Sequence, residues 1–315
     1  MHRHPIAALV LACALLVIVV FAPLPATTVG LRTLHDFAHA PIFGCVALLF
    51  LYAARSYPRL DALGSGWQYA IAATGALVLG ALTELAQIPL GRDSSWFDVS
   101  SDLLGATAFL ALSSVVDRRI HRRGIGAAAS VLGIGLLVFH SLPTAYAALA
   151  YTRRAAAFPI LGDFTRRIDM FFVEPQYASV EHIAMSPEWA QEAGERALRV
   201  RFGSLEFPGL NFFEPAPDWR DYRTLAVDVT NPTNLSLTLT LRVHDASHTY
   251  DFTDRFNRHF DLPPRTRKVL RIPIAELESA PHTRSMDMQH IAGVMLFRTG
   301  NSVAPQMDVS KLWLE

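Results

Sequence analysis

Along the first 150 residues, polar positions are too sparse to give a helix a wet face. The pattern breaks into five apolar runs, at residues 5–24, 40–54, 67–89, 99–116 and 126–150. A helix needs about 20 residues to cross a bilayer core, so the first, third and fifth runs suffice as they stand. The second reaches that length when extended back to Asp36, and the fourth when begun at Phe97, which puts ionisable residues into the first turn of each helix. Beyond residue 158 the period changes. Leu235, Leu237, Leu239, Leu241 and Val243 alternate with Ser236, Thr238, Thr240, Arg242 and His244, the two-residue period of a half-buried strand. Similar short runs recur at 197–202, 224–230, 268–274, 291–297 and 307–314, separated by turn signals such as Asn231-Pro232-Thr233-Asn234 and Pro263-Pro264. Ser186-Pro187-Glu188 and Asp287 are each expected to start a brief helical turn. The pattern predicts a multi-domain chain. An all-α transmembrane bundle of five helices occupies 1–152, a linker 153–158, and an all-β antiparallel sandwich 159–315.

Charge sharpens the division. The chain carries 28 basic and 28 acidic side chains, a balance that argues against a nucleic-acid partner. Nine basic and seven acidic residues fall in the first 150 positions, against 19 and 21 in the remainder. The two cysteines, Cys13 and Cys45, lie in apolar runs, with neither zinc spacing nor a disulfide framework. Short loops on one side of the helices carry Arg3, Arg55, Arg59, Arg118, Arg119, Arg122 and Arg123, and those on the other carry Arg32 and Arg92. The positive-inside rule then puts the N-terminus in the cytoplasm and the sandwich outside it, although Arg153 and Arg154 weigh the other way. Cleavage of the first run as a signal peptide would leave the remaining topology unchanged.

In that topology the intramembrane polar residues gather near the outer level. His35, Asp36 and His39 open the second helix, Glu84 and Gln87 close the third, Arg92 and Asp93 sit in the loop, and Asp98 and Asp102 open the fourth. Asp36 and His39 are three apart, as are Glu84 and Gln87, and Asp98, Asp102 and Gly105 follow at four and three, so each helix presents one polar stripe. The expected pocket comprises Asp36, His39, Glu84, Gln87, Arg92, Asp98 and Asp102. One account makes the acids helix-terminal charges neutralised by Arg92 and His39; another makes the cluster a binding pocket; a third lets His35 and His39, four apart, join carboxylates around a divalent ion. For acid–base chemistry the candidates are Asp36, His39, Glu84 and Asp98. No nucleophile elbow, Walker loop or HExxH motif supports a named reaction, and neither a resident metal nor a cofactor is expected.

The stretches Asp36-Phe37-Ala38-His39 and Glu84-Leu85-Ala86-Gln87, then Gly91-Arg92 with Asp98, Asp102 and Gly105, resemble the VanZ-like membrane family over about residues 30–120. That family usually carries Lys after the first Asp, where this chain has Phe37, and often Asn where Asp102 stands, so this cluster is the more acidic. The resemblance implies a bacterial membrane protein of a family named for a member linked to glycopeptide-antibiotic tolerance. Residues 156–315 resemble the galactose-binding-like jelly roll of carbohydrate-binding modules. The likeness lies at Asp218-Trp219 with Tyr222, Leu241–Asp245, Asp254-Arg255-Phe256-Asn257 and the closing strand. It implies sugar contacts through Trp219, Tyr222, Tyr250 and Asn257.

Two functions follow as expectations. The first is an inner-membrane envelope protein whose pocket binds a lipid or glycolipid headgroup and whose exported sandwich contacts envelope glycan. The second is a membrane enzyme acting on an envelope lipid or glycan precursor, with Glu84 or Asp98 as base and His39 as acid. A reporter fused after Glu315 should be active only in an export-dependent assay, and cytoplasmic activity there would reverse the topology.

Overall fold

The structure, a computed structural model, describes residues 10–11, 14, 28–88, 96–120, 123–215, 218–300 and 302–315. The chain divides into two compact units, residues 1–148 and 149–315. The first is helical: α1 (Val29–Ser56), the single turn α2 (Pro58–Asp61), α3 (Gly64–Gln87), α4 (Trp96–Val116) and α5 (Arg123–Ala157), which runs on into the second unit. Among the described residues, four helices rather than five are long and apolar enough to cross a membrane. The expected run at 5–24 lies largely outside the described residues.

Thr28 caps α1, its hydroxyl accepting from the Leu31 N–H at 3.1 Å. The helix therefore starts at Val29, seven residues before Asp36, and Asp36 and His39 stand two to three turns in rather than in the first turn. Asp98 does lie in the first turn of α4. Helices α1, α3 and α4 pack on one another through Ala47, Leu51, Ala72, Ala76, Ala106 and Leu110. Small residues set the spacing, as expected where close backbone approach replaces the hydrophobic effect. A Cβ at Gly105 would overlap the Ala40 carbonyl, and one at Gly44 would overlap the Phe109 ring. Helix α5 meets α4 where Gly133 faces Leu112, and meets α1 where His140 stacks on Phe37 with ring centroids 5.6 Å apart.

The second unit is an antiparallel β-sandwich. One sheet has the order β3 (Ala178–Ala184), β4 (Arg196–Phe202), β11 (Gln306–Leu314), β6 (Thr224–Asn231), β9 (Thr266–Pro273), with the short β1 (Ile160–Gly162) also paired to β11. The other runs β2 (Val173–Gln176), β5 (Gly209–Phe213), β10 (Ile291–Arg298), β7 (Leu237–Asp245), β8 (Phe256–Leu262). The alternation along β7 behaves as its period demands: Leu237, Leu239, Leu241 and Val243 are buried in the core with Leu225, Val227, Val229, Val294 and Leu296. Asn231 closes one end, its Nδ2 donating to the carbonyls of Leu235 and Pro263 at 2.8 and 3.0 Å. Residues 153–157, read from sequence as linker, are the last turns of α5. The turns expected at Ser186 and Asp287 form, with Trp189 N–H bonded to the Ser186 carbonyl and His290 N–H to that of Asp287.

The Gly105 contact leaves no room for a side chain. Gly105→Val should force α1 and α4 apart and destabilise the bundle by about 1–3 kcal/mol or more, read as a lower melting temperature of the detergent-solubilised chain. An unchanged melting temperature would mean that the two backbones are not in contact there.

Candidate functional site

In the helical unit, the approach of α4 to α1 at Gly105 brings His39 and Asp102 together. His39 Nδ1 lies 2.9 Å from Asp102 Oδ1, and the two side chains are 2% and 1% exposed. Gly80 of α3 completes the enclosure, since a Cβ there would sit 2.7 Å from Asp102 Oδ2. Glu84 and Gln87 are buried on the last turns of α3, and the carboxylates of Glu84 and Asp98 are near enough to act electrostatically on the His39–Asp102 pair. Asp36 stands apart, about half exposed and 3.8 Å from His35. Arg92 and Asp93 lie outside the described residues. The His35 and His39 rings meet edge to face at 5.3 Å, and among the described residues no group of three or more His, Cys, Asp or Glu is arranged to hold a metal ion. Neither His39 Nε2 nor Asp102 Oδ2 has a hydrogen-bond partner among the described residues, although both atoms are buried. Unsatisfied polar atoms at this depth are costly, which makes them functional candidates.

The other end of the same three helices holds a second polar network that the sequence reading missed. Arg55 pairs with Asp117 and donates through Nε to Gln68 Oε1 at 3.1 Å. Tyr69 reaches both Ser113 and Asp117 at 3.2 Å. Each member has a partner, and the network reads as a clasp between helix ends.

In the sandwich, Trp219 is 0% exposed within the core, and Tyr222 packs on that core with its ring edge-on to Phe158. Trp219 therefore offers no ring face to a sugar, and Tyr222 is only partly exposed. Tyr250 and Asn257 are placed differently. Tyr250 (89% exposed) and Phe252 (65% exposed) project from the loop joining β7 to β8, and Asn257 lies at the start of β8 on the outer face of the second sheet. The loop is held from below. Arg284 donates to Asp254 Oδ1 at 2.6 Å and to Asp245 Oδ1 at 2.8 Å, while Asp254 Oδ2 accepts from the Thr249 N–H at 2.8 Å and its hydroxyl at 3.0 Å. Arg284 and these N–H and O–H donors hold the Asp254 carboxyl well below the usual carboxylate range.

Side chains lie across the strands in the middle of that outer face. Strand register aligns Phe213, Gly293 and His244 in one row and Asn211, Met295, Arg242 and Asn257 in the next. A Cβ at Gly293 would lie 2.5 Å from His244 Cε1 and 3.3 Å from Asn211 Oδ1, so the glycine lets both side chains lie across the strand. Asn211 Oδ1, His244 Nδ1 and Arg255 Nε are buried, and none has a hydrogen-bond partner among the described residues. Phe252, Arg255, Asn257, Glu276, Ser279 and His282 line a cavity of about 360 Å³. The His244 ring is 5.2 Å from that of His248, which in turn is 5.5 Å from Tyr250. Sequence reasoning missed Asn211, Gly293 and Arg255. The available signal was the glycine inside an apolar strand, which marks close approach of other groups.

No family model matches the chain, the VanZ-like family expected from its motifs included, and no curated protein matches it. Solved structures are similar to the sandwich. The family 11 carbohydrate-binding module of Clostridium thermocellum, in complex with a mixed-linked β-1,3-1,4 tetrasaccharide, is 15% identical, covering 49% of this chain and 93% of its own, with a TM-score of 0.37. The CBM22-1 xylan-binding domain of a Paenibacillus barcinonensis xylanase is 10% identical over 49% of this chain and 94% of its own, at a TM-score of 0.34. An exo-β-agarase is 15% identical over 46% of this chain and 23% of its own, at 0.37.

Burial first, then the positive charges of His248, Arg242 and Arg255, push His244 down to about 4. Between pH 6.5 and about 4 the unfolded chain takes up this proton and the folded chain does not. Stability from this residue is therefore complete above pH 6.5 and declines as pH falls toward 4, by up to about 3 kcal/mol. Urea unfolding of the sandwich should show this slope in the wild type and a flatter one in His244→Gln. Equal slopes would mean that His244 is not held neutral.

Proposed function

We propose that this is a membrane-anchored, glycan-contacting protein of the bacterial envelope. Its apolar helices lie in the plasma membrane with the N-terminus cytoplasmic, and its sandwich is extracytoplasmic. The observation that carries this reading is the cavity of about 360 Å³ beside the outer face of the second sheet, lined by Phe252, Arg255 and Asn257 among others. Ligand hydroxyls can pair with the polar groups of Arg255 and Asn257 that line it. The exposed Tyr250 and Phe252 rings supply the flat apolar faces on which pyranose rings stack. Of the four expected sugar contacts, Tyr250 and Asn257 remain in this proposal, while Trp219 belongs to the core.

A second reading concerns the helical unit and rests on the buried His39 Nε2 and Asp102 Oδ2, which lack partners among the described residues. As a VanZ-like pocket, His39, Glu84, Asp98 and Asp102 would bind the polar headgroup of a lipid or glycolipid, which links the chain to envelope chemistry and to glycopeptide tolerance. The same pair is suited to passing a proton, the basis of an enzymatic alternative.

The glycan reading is tested by screening the purified full-length protein in detergent against an array of bacterial and plant glycans. Binding is expected, and Tyr250→Ala with Phe252→Ala should weaken it from a few-fold to about ten-fold while leaving the melting temperature in place. Binding that survives both substitutions would move the site off this face.

A further inference from the structure

Three partly buried arginines in the sandwich are paired with carboxylates. Arg199 is bidentate to Asp308 at 2.9 Å, Arg267 is shared between Asp228 and Glu195, and Arg284 spans Asp245 and Asp254. A guanidinium taken out of water is matched by a carboxylate, because an unmatched one loses its hydration without return.

Two arginines on the outer face of the second sheet are placed differently. Arg242 lies over the Phe297 ring at 4.9 Å, and its polar contacts are the Asn257 amide oxygen at 3.2 Å and the Met295 sulfur at 3.6 Å. Arg255 rests 5.4 Å from the Phe252 ring centre, and its buried Nε has no hydrogen-bond partner among the described residues. Neither forms a salt bridge among the described residues. Each raises the electrostatic cost of a positive charge on its neighbours: Arg255 acts on Arg242, and both act on His244. His248 adds to this side. The acids nearby are Asp245, which acts on His244, and Asp254, both committed to Arg284; Asp251, which is exposed and reaches Arg255 only through space; Glu174 opposite Asn211 in the register; and Glu276, which is committed to Arg258. Burial and mutual repulsion push Arg242 down to about 10.

We propose that this face takes an anionic glycan, whose carboxylate or phosphate is held between Arg242 and Arg255 beside the cavity lined by Phe252 and Asn257, while a neighbouring sugar ring stacks on Tyr250 or Phe252. This rests on the reading of the face as a glycan site and adds the charge of the ligand. An anion here completes the pairing seen at Arg199, Arg267 and Arg284. A guanidinium offers both oxygens of a carboxylate or phosphate a fixed fork of donors, and a neutral saccharide leaves that fork unmatched.

The test uses the full-length protein in nanodiscs of zwitterionic lipid, titrated by calorimetry with three probes: tetragalacturonate, a tetrameric glycerol phosphate, and neutral cellotetraose. At least one anionic probe should bind ten-fold or more tightly than cellotetraose, and its affinity should fall as salt rises from 50 to 500 mM. Which of the two binds separates a carboxylate from a phosphodiester source. Arg255→Gln should remove ten-fold or more of that affinity, with Arg242→Gln as an independent second variant should the first disturb folding. Cellotetraose binding unaltered by either substitution, with no preference for the anions, would overturn the anionic assignment and leave the glycan reading standing. Anion binding indifferent to both substitutions would place the anion elsewhere. No binding by any probe, combined with an empty glycan array, would end both proposals.

Discussion

A charge withdrawn from water must find its opposite, and this requirement organises both units of the chain. Within the helices His39 meets Asp102 at one level and Arg55 pairs with Asp117 at another, so α1 and α4 are tied at two levels, with α3 packed against both. Within the sandwich it ties strand to strand: Arg199 on β4 to Asp308 on β11, and Arg267 on β9 to Asp228 on β6. Such pairs contribute little net stability over apolar packing of the same volume, but breaking one strands a buried charge. They work as registration marks. A helix shifted by one turn or a strand slipped by one residue loses its partner, so the energetic gap to the misassembled state is wide even where the gain is small.

Glycine has the complementary role of letting the partners meet. Gly105 and Gly80 remove the two side chains that would separate α4 from α1 and Asp102 from α3. Gly293 does the same on the sheet for His244 and Asn211. In each place the missing Cβ makes room for a polar group in otherwise apolar surroundings, an arrangement expected where a protein handles a polar ligand and wasteful where it only packs.

Strong periodicity was legible in the letters. The strands over 224–230, 291–297 and 307–314 form within a residue or two of their expected limits, because alternating branched and aliphatic side chains have one way to be half buried. Strands β3, β5 and β8 were not legible: Ala178–Ala184 and Phe256–Leu262 are rich in polar residues, and Gly209–Phe213 is short and led by glycine. They are set by pairing with stronger neighbours. The start of α1 was misplaced for a related reason. Arg32, His35 and Asp36 interrupt the apolar run, while the cap at Thr28 extends the helix through them. His39 and Asp102 were both singled out from their spacing, but their contact depends on the approach of the two helices at Gly105, and His39 stands about three turns into α1 rather than at its start. Trp219 shows the opposite limit. An aromatic beside an Asp in a loop looks like a ligand platform, and only the packing of the two sheets reveals it as core.

The clasp of Arg284 on Asp245 and Asp254 has a consequence for how the neighbouring loop meets anything in solution. Loops that carry recognition aromatics are commonly mobile, and fixing a residue's backbone costs about 1–2 kcal/mol of conformational entropy at the moment of capture. Here the loop backbone is already fixed during folding by bonds on its inner side, at Thr249, Asp254 and Thr253, the last through the His282 N–H at 3.0 Å. Tyr250 and Phe252 thus stand on a preorganised platform. For the proposed glycan ligand, selectivity would then come from the fit of a rigid surface, and the encounter would be a matter of collision geometry rather than of waiting for a loop to close.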